Sequence, residues 1–121
     1  MEKIVIRSFK DLDVWKKAIE LVKKIYVATK GFPTDEIYGL SAQMRRSAVS
    51  IPSNIAEGKA RYSRREYIQF LYIALGSVAE LETQIVISKE LGYLKTGVEE
   101  ELFESIDHIG KMLRNLIKSL R

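Results

Sequence analysis

Glu104, Asp107 and His108 come nearer than any other residues of this 121-residue chain to a metal-ligating or acid–base cluster. Helical bundles that hold two metal ions need Glu-x-x-His on each of two helices, with further glutamates pointing inward. Here Glu104 and His108 stand four apart, and His108 is the single histidine, so no second imidazole can complete such a site. The three residues read as the solvated face of a helix. The absence of cysteine removes thiolate nucleophiles, cysteine zinc sites and disulfides. No G-x-x-x-x-G-K loop, G-x-S-x-G elbow or Rossmann fingerprint occurs. The expectation is a protein that is not an enzyme and needs neither metal nor cofactor.

Charge is the chemistry that remains. Between Arg45 and Glu66 lie six bases (Arg45, Arg46, Lys59, Arg61, Arg64 and Arg65) against Glu57 and Glu66, an excess equal to the net charge of +4 on the whole chain. Acids dominate from Glu80 to Asp107, and from His108 onward come Lys111, Arg114, Lys118 and Arg121 with no acid at all. Acids at the start and bases at the end of a last helix follow the helix dipole. Arg64 and Arg65, in the first turn of a helix, oppose theirs, which points to use rather than stability. The competing reading is a solvated basic face with no task.

Four stretches must position these charges. Ser8 and Asp11 mark a helix start, followed by one stripe of Leu12, Trp15, Ile19, Val22 and Tyr26 and a second of Val14, Ala18, Leu21 and Ile25. Gly31, through left-handed φ, and Pro33 end it. Leu40, Met44, Ala48, Ile51 and Ile55 keep helical phase across Pro52, which predicts one helix kinked at Pro52, running to about Glu57 and stopped by Gly58. The alternative is two short helices broken at Ile51.

Ser63 and Glu66 form a capping-box pattern ahead of a long helix that ends near Leu91 and Gly92. Its main face is Tyr67, Phe70, Leu71, Ala74, Val78, Leu81 and Ile85. Ile68, Tyr72, Ile73 and Leu75 make its first half apolar nearly all round, and these four are expected at an interface with another chain. Gly76-Ser77 within it is expected to permit close helix packing. Thr96 and Glu99 repeat the box before a last helix carrying Val98, Leu102, Ile106, Ile109, Leu113, Leu116, Ile117 and Leu120.

Short connections make successive helices antiparallel neighbours. The predicted fold is therefore all-α, an up-down-up-down antiparallel four-helix bundle forming one domain over residues 1–121. Ile4-Val5-Ile6 is the one run with any strand character. In this topology Lys59, Arg61, Arg64, Arg65, Lys118 and Arg121 gather at one pole, and Glu90, Glu99, Glu100 and Glu101 at the other. The opening residues hold too short an apolar run for a secretory signal. The longest uncharged run, 13 residues between Glu66 and Glu80, falls short of the ~20 that cross a bilayer. A cytoplasmic protein without membrane contact is expected.

The strings F-P-T-D-E-I-Y-G-L-S-A-Q-M-R-R-S-A-V-S-I-P-S-N-I-A-E-G and Y-I-Q-F-L-Y-I-A-L-G-S-V-A-E-L-E-T-Q resemble a bacterial four-helix-bundle family. That family is named for proteins encoded in intervening sequences of large-subunit ribosomal RNA genes. It is distantly related to the accessory variability determinant of diversity-generating retroelements. The resemblance runs from about Phe9 to Leu94, and S-I-P-S-N-I-A-E-G is its most specific part. It implies a homopentameric ring, no catalytic residues to carry over and, remotely, nucleic-acid binding. Within that run Ser50 and Asn54 flank Pro52 and suit carbonyls released by a kink. Glu57 suits Arg61 or an arginine of a neighbouring subunit. Gln43, Arg46, Asn54 and Glu57 read as a polar network at a subunit contact.

Two functions follow. The first is RNA or DNA backbone binding through Lys59, Arg61, Arg64, Arg65, Arg45, Arg46, Lys118 and Arg121. The second is an assembly or adaptor role in which the ring holds a protein partner. No aromatic base-reading motif stands out, so sequence-specific recognition is not expected.

Overall fold

The apolar stripes become four helices. A computed structural model describes residues 8–121, which form α1 (Asp13–Lys30), α2 (Leu40–Lys59), α3 (Arg64–Glu90) and α4 (Val98–Leu120). Two 3-10 turns, Phe9–Asp11 and Thr34–Glu36, precede α1 and α2, and no strand occurs among the described residues. The run Ile4-Val5-Ile6 lies outside them. Each helix packs on the next and α1 also packs on α4, while α1 and α3, and α2 and α4, face each other across the core without close backbone approach among the described residues. The core is one continuous cluster built from all four helices together with Phe32.

In α1 the second stripe is the inner one. Val14, Ala18, Leu21 and Ile25 are buried, whereas Leu12, Trp15, Ile19 and Val22 are half-buried and Tyr26 is exposed. Ser8 and Asp11 do form a capping box, but over the 3-10 turn, and the extended Leu12 is the residue that precedes α1. Gly31 ends α1 at φ −86°, so its role there is not the left-handed turn that was expected.

Helix α2 runs unbroken through Pro52, and Ile51, Pro52 and Ile55 are all buried. The helix is therefore not split at Ile51. Asn54 Nδ2 donates to the Ser50 carbonyl at 2.8 Å and to Ser50 Oγ at 2.9 Å. The carbonyl so bonded is that of Ser50 rather than Ala48, the acceptor that a proline at position 52 leaves without its N–H. Gly58 is not the stop either. It lies inside the last turn, buried, and a Cβ there would sit 2.8 Å from Phe70 Cβ. The glycine lets α2 approach α3, and the helix runs on to Lys59.

Small polar residues line the α2–α3 seam. Ser50 and Ser77 share a hydrogen bond of 2.8 Å, Ser47 Oγ donates to Glu80 at 3.1 Å, and Ser88 Oγ lies 3.2 Å from Met44 sulfur. Ser77 is thus packed as expected, but Gly76 is not a packing glycine, because it faces open space on the outer side of α3.

Ser63 accepts from the Glu66 N–H at 3.2 Å and so starts α3. At the other end Gly92 adopts φ +75°, with Tyr93 N–H bonding the Ser88 carbonyl and Gly92 N–H that of Lys89. These are the two bonds of a Schellman stop. The Thr96 capping box does not form. Gly97, at φ +88°, takes the N-cap position of α4 and no side chain caps it. Left-handed geometry at residue 97 suits glycine, and it shifts the cap one residue beyond the threonine.

Candidate nucleic-acid interface

Ser63 sets where α3 begins, and that fixes Arg64 and Arg65 in its first turn, both exposed. Helix α4 brings Arg121 to the same place: its guanidinium lies over the Tyr72 ring, 5.9 Å from the centroid, and donates to the Tyr72 hydroxyl. Arg64, Arg65 and Arg121 thereby surround an open groove of about 610 Å³, floored by Ile68, Tyr72 and Leu120. Lys118 is exposed in the last turn of α4.

The end of α2 and the turn after it supply two further cations, each resting on an aromatic ring of α3. Lys59 sits 5.8 Å from the Tyr67 centroid and Arg61 4.8 Å from that of Phe70. Arg61 also meets Glu57 at 3.4 Å, the intrachain pairing expected from the sequence. Burial raises the Tyr67 hydroxyl above its usual pKa, so that ring stays neutral beneath Lys59.

Among the described residues the ion pairs join Lys17 to Glu20, Lys24 to Glu101, Arg61 to Glu57 and Lys111 to Asp107. Lys59, Arg64, Arg65, Lys118 and Arg121 have no carboxylate within ion-pair distance among those residues.

Arg45 and Arg46 do not belong to this cluster. Fourteen residues of α2 separate Arg45 from Lys59, about 21 Å of helix. Arg45 Nε donates to Thr29 Oγ1 at 2.9 Å, and its guanidinium lies 4.6 Å from the Tyr26 centroid, so it ties α2 to the end of α1. Arg46 and Gln43 are exposed on α2 without a side-chain partner among the described residues, while Asn54 bonds Ser50 and Glu57 meets Arg61, so within one chain the four are not joined as they are expected to be at a subunit contact.

The four expected interface residues divide. Ile68 and Leu75 are half-buried against the chain's own core, while Tyr72 and Ile73 are 46% and 52% exposed. Tyr72 belongs to the arginine groove, a partnership with Arg121 across 49 residues that no local pattern announces. Tyr62, fully exposed between Arg61 and Arg64, also escaped the sequence reading. Midway along α4 Asp107 pairs with Lys111 at 3.1 Å, and among the described residues no group of three or more His, Cys, Asp or Glu is placed to hold a metal.

Among the described residues, four α-helices without a strand and several cations without a carboxylate partner at one end are what define the class of this protein. The profile of the family described as 23S rRNA-intervening sequence protein matches residues 10–115, and the chain belongs to that family. A crystal structure at 1.70 Å of a protein of unknown function from the S23 ribosomal protein family of Bacteroides thetaiotaomicron is similar. It is 28% identical, with a TM-score of 0.78, and the match covers 87% of this chain and 98% of that one. No curated protein matches the chain.

Proposed function

We propose that the chain is a non-enzymatic, cytoplasmic four-helix-bundle protein that assembles with copies of itself and binds RNA or DNA backbone through the basic end. The observation that carries this reading is the convergence of Arg64, Arg65 and Arg121 around one groove, with no carboxylate paired to them among the described residues. The reading takes the bundle as up-down-up-down, with α2 kinked at Pro52. In support, Ser88 meets Met44 while Ser77 meets Ser50, and Lys24 of α1 meets Ser105 near the start of α4.

Titration of labelled duplex and single-stranded nucleic acid at several salt concentrations tests the binding. Phosphate contacts release counterions, so log affinity falls with log salt by about 0.9 per neutralised phosphate of a duplex. Arg64→Glu with Arg65→Glu is expected to weaken binding for all sequences alike and to flatten that slope, while the fold stays intact. A double variant that binds as well as wild type, or a wild type that does not bind at low salt, returns the patch to solvated surface. Salt-insensitive capture of a protein would then favour the adaptor role.

Helix α3 supports the assembly. An 18-residue stretch of it has a mean hydropathy of 1.4, long and apolar enough by composition alone to cross a membrane, yet only 39% of that stretch is buried within the chain. Ile73, Val86 and Ile87 are exposed on it, with the open Gly76 between them. Contact with other copies, in a pentamer by the family resemblance, would cover this face. Ile73→Glu is expected to lower the mass seen by light scattering. A wild type that is monomeric at every concentration overturns the assembly, and a dimer or tetramer overturns only the pentamer.

A further inference from the structure

At the end of the molecule away from the arginines, the second half of α1 and the start of α4 leave a cleft of about 410 Å³. That is within the usual size of small-molecule sites, about 300–1,000 Å³. Its floor is apolar, made by Ala28, Leu94, Val98 and Leu102, the last of these only 1% exposed.

The mouth is cationic. Lys23, Lys24 and Lys95 stand around it against a single acid, Glu101. Lys24 is already spent on Glu101 at 3.3 Å and on Ser105 at 3.0 Å. Lys23 and Lys95 pair with no carboxylate among the described residues. The Tyr93 hydroxyl is committed as well: it donates to Glu36 at 3.1 Å, and that carboxylate holds its pKa above the ordinary tyrosine value. Tyr93 therefore offers the cleft its ring and not a proton.

We infer that this cleft binds a small amphipathic carboxylate, its apolar body on the floor and its charge between Lys23 and Lys95. A compact inorganic anion would leave the floor wet, and a neutral hydrocarbon would leave two cations without use. The site is independent of the nucleic-acid reading, since its residues and those of the arginine groove do not overlap.

Gly31 provides a clean block. It lines the cleft at φ −86°, which any residue accepts, and a Cβ there would meet only the Ala28 carbonyl oxygen, at 4.0 Å. Gly31→Phe should therefore fill the cleft without disturbing the helix, which circular dichroism and the melting temperature verify.

The test is a titration of the full chain with decanoate below its micelle concentration, followed by amide chemical shifts and calorimetry. Decanol, decyltrimethylammonium and acetate serve as comparison ligands. Decanoate is expected to bind best, to shift the amides of Gly31, Leu94 and Val98, and to lose binding in Gly31→Phe. Lys23→Glu with Lys95→Glu is expected to weaken decanoate about tenfold while leaving decanol unchanged, because two attractive charges become repulsive. Equal binding of decanoate and decanol, shifts elsewhere, or a charge variant that binds like wild type would each overturn the site. So would absence of binding together with a fall in oligomer mass in Gly31→Phe, which would assign the cleft to a second copy of the chain.

Discussion

Ile55→Ala is expected to lower the free energy of unfolding by about 2–5 kcal/mol, the range for truncating a large side chain in a closed core. Ile55 is fully buried, three residues beyond Pro52 and in phase with Met44, Ala48 and Ile51. Its burial depends on α2 continuing as a helix past the proline. Urea denaturation with an unchanged slope measures the loss. A change below about 0.5 kcal/mol, typical of surface positions, would mean that the helix does not carry Ile55 into the core.

Gly58→Val is the second large effect. The new Cβ would lie 2.8 Å from Phe70 Cβ, 3.0 Å from Tyr67 Cδ1 and 3.2 Å from the Tyr67 carbonyl oxygen. The last is backbone and cannot rotate away, so α2 and α3 must separate. Overpacking of this kind costs about 1–3 kcal/mol. The better helix propensity of valine offsets only a few tenths, about 0.4 kcal/mol. Lys59 and Arg61 rest on the same two rings, so the proposed nucleic-acid binding is expected to weaken along with stability. If Gly58 merely ended the helix, valine would be tolerated, and an unchanged melting temperature would show it.

These two residues also mark how far the sequence could be read. The phase of Met44, Ala48, Ile51 and Ile55 is a local property of the chain, and it predicted an unbroken α2. The role of Gly58 is not local. A glycine at a helix stop and a glycine under a neighbouring helix look alike until Tyr67 and Phe70 are placed against it. Ser63 identified the start of α3, and with it the position of Arg64 and Arg65, because capping acts over three residues. Thr96 misled for the same reason: its box pattern was present, but Gly97 took the left-handed turn. Arg45 counted toward the basic cluster by sequence neighbourhood, whereas the hydrogen bond to Thr29 and the Tyr26 ring hold it near the other end. In α1 the two apolar stripes are adjacent on one helix face, and only the position of α2 and α4 decides which of them is inner.

The unequal seams of the bundle bear on the order in which it closes. Ser50 and Ser77 are 27 residues apart, whereas Lys24 and Ser105 are separated by 81. Tripling the loop adds about 1 kcal/mol of closure entropy. The α1–α4 seam is also the least extensive of the four between helices. Local opening is therefore expected to start at the α1–α4 seam, where fewest contacts must be lost, and to reach the more extensive α2–α3 seam last. The lysine-rimmed cleft has its two walls on that seam. Opening there is expected to reach the cleft before it reaches the seam that carries Arg64 and Arg65.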